Sequence, residues 1–178
     1  MRKVKIMDRE TVMRSLARMT HEIIERNDGA DALCVLGVKS RGIALSRILA
    51  ENLKKFADLD VPCGYLDVTM YRDDFTEEEK RRKVGDSLIP CDITGKIVII
   101  VDDVLYTGRT ARAAIEAVFA LGRPKAVRLA VLVDRGHREL PVRPDYIGKN
   151  IPTSRQEKIS VVMDGGEESG VFIVNEAE

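Results

Sequence analysis

Tryptophan is absent from these 178 residues, and phenylalanine and tyrosine contribute four each. Single-stranded nucleic acid is usually gripped by stacking bases on aromatic rings, and no ladder of rings accompanies the charges here. Cysteine is scarce too: Cys34, Cys63 and Cys91 lie far apart, odd in number and without a CxxC pair. That excludes a disulfide framework and a structural zinc site, and it suits a reducing cytoplasm. No apolar run approaches the ~20 residues of a membrane span. The opening Met1-Arg2-Lys3-Val4-Lys5-Ile6-Met7-Asp8 is charged too early and too often for a signal peptide. Net charge is missing as well, with 29 basic residues balanced by 29 acidic ones. Any surface for nucleic acid is then a local patch, because no global basic field exists. What remains is a chain 44% apolar and 33% charged, the balance of a globular protein with room for a sizeable core. Neither repeats nor a Pro/Gly-rich linker divide it, so residues 1–178 are expected to form one domain.

The apolar spacing predicts a first helix from about Asp8 to Asn27, with Asp8 as N-cap and Val12, Leu16, Met19 and Ile23 on one face. Asn27-Asp28-Gly29 ends it. Ala32–Val38 reads as a buried strand. A second helix follows Gly42, with Ile43, Ile48, Leu49, Leu53 and Phe56 as its apolar positions. A strand around Pro62–Met70 precedes a highly charged stretch. Ile97–Val101 is apolar and β-branched, as in parallel strands covered on both faces. Thr110–Leu121 is helical, closed by Gly122 and Pro124. Val127–Val133 repeats the buried-strand pattern, and Ile159–Met163 and Val171–Val174 are short late strands. Alternating strands and helices predict an α/β fold, with a central, mostly parallel sheet flanked by helices. Such folds bind ligands at the carboxyl ends of their strands.

The chemistry-bearing residues stand there. Behind the strand ending at Val101 come two adjacent carboxylates, Asp102 and Asp103, and four residues on Thr107-Gly108-Arg109-Thr110 opens a helix. A glycine among small hydroxyl residues lets backbone N–H groups converge on a phosphate. Thr107 and Thr110 add hydroxyls, and Arg109 adds charge. The acids lie too close in sequence to bind that same phosphate. They suit hydroxyls or a cation on the next part of the ligand, and a ribose 5-phosphate has this layout. Taken separately, the acids read as a magnesium pair and the turn as a good helix start; their order behind a hydrophobic strand is the specific feature. Gly37-Val38-Lys39-Ser40-Arg41-Gly42 sits at the same edge, and its glycines, amides and two cations suit a diphosphate. It is not a Walker loop, because Gly-Lys is absent and no glycine lies at the required distance upstream. An ordinary strand–helix turn is the competing reading. Tyr71–Lys83 carries ten charges in the twelve residues from Arg72 to Lys83, too many for a core. It reads as a solvated loop with a short helix from Thr76, or as a hood that closes on the ligand and excludes water. Arg72 is the candidate to reach the diphosphate.

Together, Val98–Thr110 matches the phosphoribosyl diphosphate motif of the type I phosphoribosyltransferases, and Gly37–Gly42 resembles their diphosphate loop. Within that family, Asp67–Asp74, Leu105–Thr110, Leu129–Pro141 and Tyr146–Ser154 resemble the pyrimidine operon regulatory proteins. The resemblance runs along almost the whole chain and thins at the extreme N-terminus and after about Ser160. It implies a type I phosphoribosyltransferase fold with a flexible charged hood loop, and uracil phosphoribosyltransferase activity. Uracil and 5-phospho-α-D-ribose 1-diphosphate would give UMP and diphosphate, with Mg2+ carried by the diphosphate. No covalent nucleophile is needed, since fixed carboxylates stabilise the positive charge that develops on the ribose. The catalytic groups implied are Asp102 and Asp103, on the ribose hydroxyls directly or through the metal, and Arg72. Thr107, Gly108, Arg109 and Thr110 would hold the 5′-phosphate, and Lys39, Ser40, Arg41 and Gly42 the diphosphate. Asp134 and Arg135 would line the base side, Asp134 being equally a plain loop residue. A homodimer or larger assembly is implied as well, and so is uridine-nucleotide-dependent binding of pyrimidine operon leader mRNA, which attenuates transcription.

The residues themselves speak less for RNA. Arg14, Arg18 and His21 share one face of the first helix, and such a stripe can touch phosphates. Yet Glu10–Arg14 and His21–Glu25, at i,i+4, read as surface ion pairs, and the solvated face is the better reading. His137, Arg138, Arg143 and Lys149 match the family's RNA surface, whereas Ala17 stands where a hydroxyl residue is expected in the RNA-binding regulators.

Overall fold

The computed structural model describes residues 2–27, 32–83, 85–164 and 166–175. Five strands form a sheet that is parallel throughout. β2 (Leu33–Val38) pairs with β3 (Cys63–Leu66) and with β4 (Ile97–Leu105); β4 pairs with β5 (Ala126–Asp134), and β5 with β6 (Tyr146–Asn150). Each strand sends alternate residues into different layers. Leu33, Val35, Ile99, Val101, Ala130 and Leu132 pack with Val12, Leu16, Met19 and Ile23 of α1 (Arg9–Arg26) and with Leu45, Leu49 and Leu53 of α2 (Arg41–Ala57). Cys34, Leu36, Val98, Ile100, Leu129 and Val131 pack with Ala113, Ala114, Ala117 and Val118 of a later helix, here α4 (Arg109–Leu121). Burial on both faces is why β2 and β4 read as unbroken apolar runs. The short α3 (Glu77–Lys83) lies in the charged stretch and starts with a capping box: Glu79 N–H donates to Thr76 Oγ1 at 3.2 Å and Thr76 N–H to Glu79 Oε2 at 2.8 Å. All three cysteines are free.

The predicted cap of α1 is present, with Thr11 N–H donating to Asp8 Oδ1 at 2.8 Å. Asn27 is the C-cap, while Asp28 and Gly29, predicted to end the helix, lie outside the described residues. Phe56 is exposed and stacks on His21 with ring centres 4.8 Å apart; the fully buried apolar side chains of α2 are Leu45, Leu49 and Leu53. The strand predicted around Pro62–Met70 is confined to β3, followed by a 3-10 turn at Thr69–Tyr71. β4 runs four residues past Val101, because β5 continues beside it and pairs Asp102 with Val131 and Val104 with Val133. Asp102 and Asp103 therefore sit in a strand, not in the loop beyond it.

A second, antiparallel sheet has the order β1 (Arg2–Asp8), β8 (Gly170–Asn175), β7 (Glu157–Val162). β1 is short and basic, and its alternation of Lys3, Val4, Lys5 and Ile6 is not among the strands predicted from the sequence. Met7 is buried in the core with Ile6 packed against it, while Lys3 Nζ and Lys5 Nζ lie 3.9 and 5.4 Å from the centre of the Phe172 ring.

Candidate active site

The register of the parallel sheet brings the carboxyl ends of β2 and β4 side by side, with Gly37 opposite Val101. Two glycines make that approach possible. A Cβ on Gly42 would lie 2.4 Å from the Val101 carbonyl oxygen, and one on Gly37 would lie 2.4 Å from the Gly42 carbonyl oxygen. The loop between β2 and α2 is thus drawn against the end of β4. Lys39 and Ser40 are joined by a cis peptide. Lys39 Nζ is 3.8 Å from Asp67 Oδ2, and Arg41 Nη1 is 3.5 Å from Asp103 Oδ2. Asp67, which opens the Asp67–Asp74 segment but has no role assigned from the sequence, anchors this corner by accepting from Thr69 N–H and Gly85 N–H, each at 2.9 Å. Burial pushes its carboxyl up, but those hydrogen bonds and the Lys39 charge outweigh it and hold it below its usual range.

Lys39, Ser40, Asp67, Thr69, Arg72 and Thr110 line one cavity of about 300 Å³. A second cavity of about 300 Å³ is lined by Asp102, residues 104–111, Asp74, Glu139 and again Arg72. Arg72 stands between the two, donating through Nη1 to Thr110 Oγ1 at 2.7 Å and forking onto the Asp74 carboxylate. Asp103 N–H donates to Asp102 Oδ1, and Val104 N–H to Asp103 Oδ1, each at 2.8 Å. Burial first, and the Asp103 charge second, push the Asp102 carboxyl well above the usual carboxylate range.

The loop into α4 turns at Gly108, whose φ of 93° is a left-handed conformation that favours glycine. Gly108 has no side chain to cap α4; Arg109 N–H donates to Thr107 Oγ1 at 3.3 Å, and the helix start, with its dipole, faces the cavity where an anion would be favoured. The Arg109 guanidinium points elsewhere: Nε donates to Glu139 Oε2 at 2.7 Å and Nη1 to Asp73 Oδ2 at 2.5 Å. Thr107, Gly108, Thr110, Asp102 and Arg72 are thus brought to one cavity, with Lys39 and Ser40 at its neighbour across Arg72; Arg41 lines a different cavity, beside Val161 and Asp164.

A phosphoribosyl transferase domain model matches residues 5–164. The chain belongs to that family. The bifunctional protein pyrR of Enterococcus faecalis is 55% identical over 164 residues, covering 92% of each chain. The protein of the same name from Pelotomaculum thermopropionicum is 50% identical over 173 residues, covering 96% of each. A crystal structure of a hypoxanthine-guanine phosphoribosyltransferase from Bacillus anthracis superposes with a TM-score of 0.71 at 21% identity, over 97% of this chain and all of that one. That likeness concerns the fold.

In this phosphoribosyl transferase, Asp134 ends β5 and accepts from Gly136 N–H at 3.0 Å and from Arg138 Nη2 at 2.5 Å. Arg138 also donates to the carbonyls of Tyr106 at 2.8 Å and Val142 at 2.9 Å. A cavity of about 650 Å³ opens beside them, lined by Asp134, Arg138, Leu140, Val142, Arg143 and Ile147. Arg135, expected with Asp134 to line the base side, lines a smaller cavity beside Asp134 and Arg138. It is buried, lies 4.0 Å from the Tyr106 ring centre, and donates to Thr153 Oγ1 and the carbonyls of Ser154 and Glu157 at 2.9, 3.1 and 2.7 Å. It acts as a brace. The basic residues considered for RNA divide similarly. Arg18 donates to Glu22 at 2.7 Å and to the carbonyls of Ile147 and Gly148 at 3.0 and 2.6 Å, tying α1 to β6. Glu10–Arg14 forms at 2.7 Å as predicted, but His21 stacks on Phe56 instead of pairing with Glu25. His137 Nε2 is 2.5 Å from the Thr153 carbonyl oxygen. Arg143 and Lys149 are exposed.

Proposed function

We propose that this phosphoribosyl transferase moves ribose 5-phosphate from 5-phospho-α-D-ribose 1-diphosphate to uracil, giving UMP and diphosphate. The same nucleotide then governs binding to pyrimidine operon leader mRNA, so that transcription is attenuated. The observation that carries the reading is the pair of polar cavities flanking Arg72, one of them lined by Asp102, whose carboxylate accepts from the Asp103 N–H. The amides and hydroxyls of Thr107, Gly108, Arg109 and Thr110 bind the 5′-phosphate. Lys39, Ser40, Arg41 and Gly42 receive the diphosphate, with Arg72 bridging the two ends. As the bond from the anomeric carbon to the diphosphate breaks, the electron pair leaves with the diphosphate. The new bond forms to the uracil nitrogen, which gives up its proton. Asp102 and Asp103 hold the ribose hydroxyls and stabilise the positive charge on the sugar, and the cavity beside Asp134 and Arg138 takes the base.

The two adjacent carboxylates are hard oxygen donors of the kind magnesium prefers, and among the described residues no group of three or more His, Cys, Asp or Glu could hold a metal. They fit a Mg2+ that arrives with the diphosphate, and that ion would offset the negative charge on the departing group. The relatives named bifunctional support a second activity, for which the exposed Arg143 and Lys149 are the RNA contacts favoured here. The working form is a single-domain chain in a homodimer or larger assembly in the cytoplasm; no helix among the described residues is long and apolar enough to cross a membrane.

Incubation with phosphoribosyl diphosphate and uracil, hypoxanthine or orotate in turn should give UMP alone. Another nucleotide in its place would show the substrate assignment to be wrong. In a gel shift, UMP should strengthen retardation of the pyrimidine leader transcript, and RNA should tighten UMP by the same factor; no effect of UMP removes the regulatory half.

A further inference from the structure

The sequence pattern assigns the charge of Arg109 to the 5′-phosphate, but the side chain is taken up by two carboxylates from different parts of the fold. Asp73 follows the Thr69–Tyr71 turn at the start of the charged stretch, and Glu139 lies in the turn after β5. Neighbouring contacts repeat the arrangement. On one side, Arg72 donates to Thr110 Oγ1, and Arg112 Nη1 to the Tyr71 carbonyl at 3.1 Å. On the other, the N–H groups of Glu139 and Leu140 donate to the Thr107 carbonyl at 2.9 and 3.1 Å. The phosphate loop is therefore gripped from both flanks, and Arg109 is the side chain that touches both. Its planar fork directs the two arms at fixed angles, which a lysine cannot do. Two carboxylates already offset its charge, which leaves little for a phosphate. With Asp73 and Glu139 about half exposed, each pair contributes little stability by itself.

We infer that Arg109 is a positioning residue: its guanidinium fastens the Tyr71–Asp74 segment to the Arg138–Val142 turn across the phosphate loop and is not itself a ligand of the phosphate. The catalytic half of this inference rests on Thr107–Thr110 being the 5′-phosphate site; the linkage of the two segments does not. The segment beside the diphosphate cavity and the turn beside the base cavity then open and close together.

The test is Arg109→Met in the full chain. Hydrogen exchange without any ligand should speed up at least several-fold in residues 71–76 and in 138–142 together, with β4 unchanged and the melting temperature nearly so. The affinity for UMP by calorimetry should fall less than about threefold, while kcat drops about tenfold or more at a nearly constant KM for phosphoribosyl diphosphate. Arg109→Lys should recover only part of kcat. Loss of UMP affinity by about tenfold or more with unchanged exchange would make Arg109 a phosphate ligand, and faster exchange in one segment alone would make it a local surface pair. Either result overturns the linkage. Should no base yield a nucleotide, the exchange measurement still decides, so failure of the substrate assignment remains distinguishable.

Discussion

Asp102 holds its proton more tightly in the folded chain than in the unfolded one, because burial and Asp103 both oppose its charge. Between the ordinary carboxylate pKa of about 3.9 and the raised native value, the folded state binds more protons. Stability associated with this group is therefore present at acid pH and is lost as pH rises through the native pKa. Asp102→Asn removes that loss and still accepts the Asp103 N–H. Thermal melts at neutral pH should show it more stable by a few degrees, at roughly 2–4 °C per kcal/mol for a chain of this size, while kcat falls about 100-fold. For Asp103→Asn the balance differs. The amide keeps the Val104 hydrogen bond, so melting changes little while turnover also falls about 100-fold; an unfolded variant would make the pair structural. The acids and the Thr-Gly-Arg-Thr turn were readable because their chemistry is local. Asp67 and Glu139 were not, since their partners lie 28 and 30 positions away in Lys39 and Arg109 and nothing in the spacing announces them. Likewise, charge marked Arg135 and Arg138 as candidates, but only the fold reveals that their donors point inward.

At the level of elements, the phosphate loop depends on one backbone conformation. Gly108→Ala places a Cβ at a φ of 93°, a strain of about 1–2 kcal/mol, and 3.4 Å from Leu140 Cβ. Denaturant melts should register that cost, and calorimetry should show UMP weakened while uridine, which lacks the phosphate, binds unchanged. Equal weakening of both ligands would place the phosphate elsewhere. The helices were legible in outline because period and caps coincide; Val12, Leu16, Met19 and Ile23 of α1 are all buried. Strand ends were harder. Asp102 and Asp103 look like loop residues, yet β5 supplies ladder partners that carry β4 to Leu105. β1 escaped notice because Met7 alone is fully buried among its described side chains, and the charges of Arg2, Lys3, Lys5 and Asp8 mask the short apolar pattern.

Across the whole molecule, a ligand that binds only the folded chain stabilises it in proportion to its occupancy. UMP at about 100 times its Kd should add roughly 2.7 kcal/mol, a rise in melting temperature that uridine at the same concentration should not match. With basic and acidic residues balanced at 29 each, attraction for RNA must come from a few exposed cations. Lys149→Gln should flatten the dependence of RNA affinity on salt by roughly one phosphate contact and leave uracil turnover intact; an unchanged slope would remove Lys149 from the interface. The parallel architecture was legible from the alternation of strands and helices, while the second sheet was not, for it joins segments from opposite ends of the chain. Arg2 lies opposite Asn175. On the ribosome, β1 is made before the parallel strands, and β8, its one strand partner among the described residues, after them. The five parallel strands, all between Leu33 and Asn150, are synthesised in that interval. The nucleotide-binding layers can thus assemble while the nascent chain is still growing, whereas Arg2–Asp8 must wait for the final strand before it finds a place.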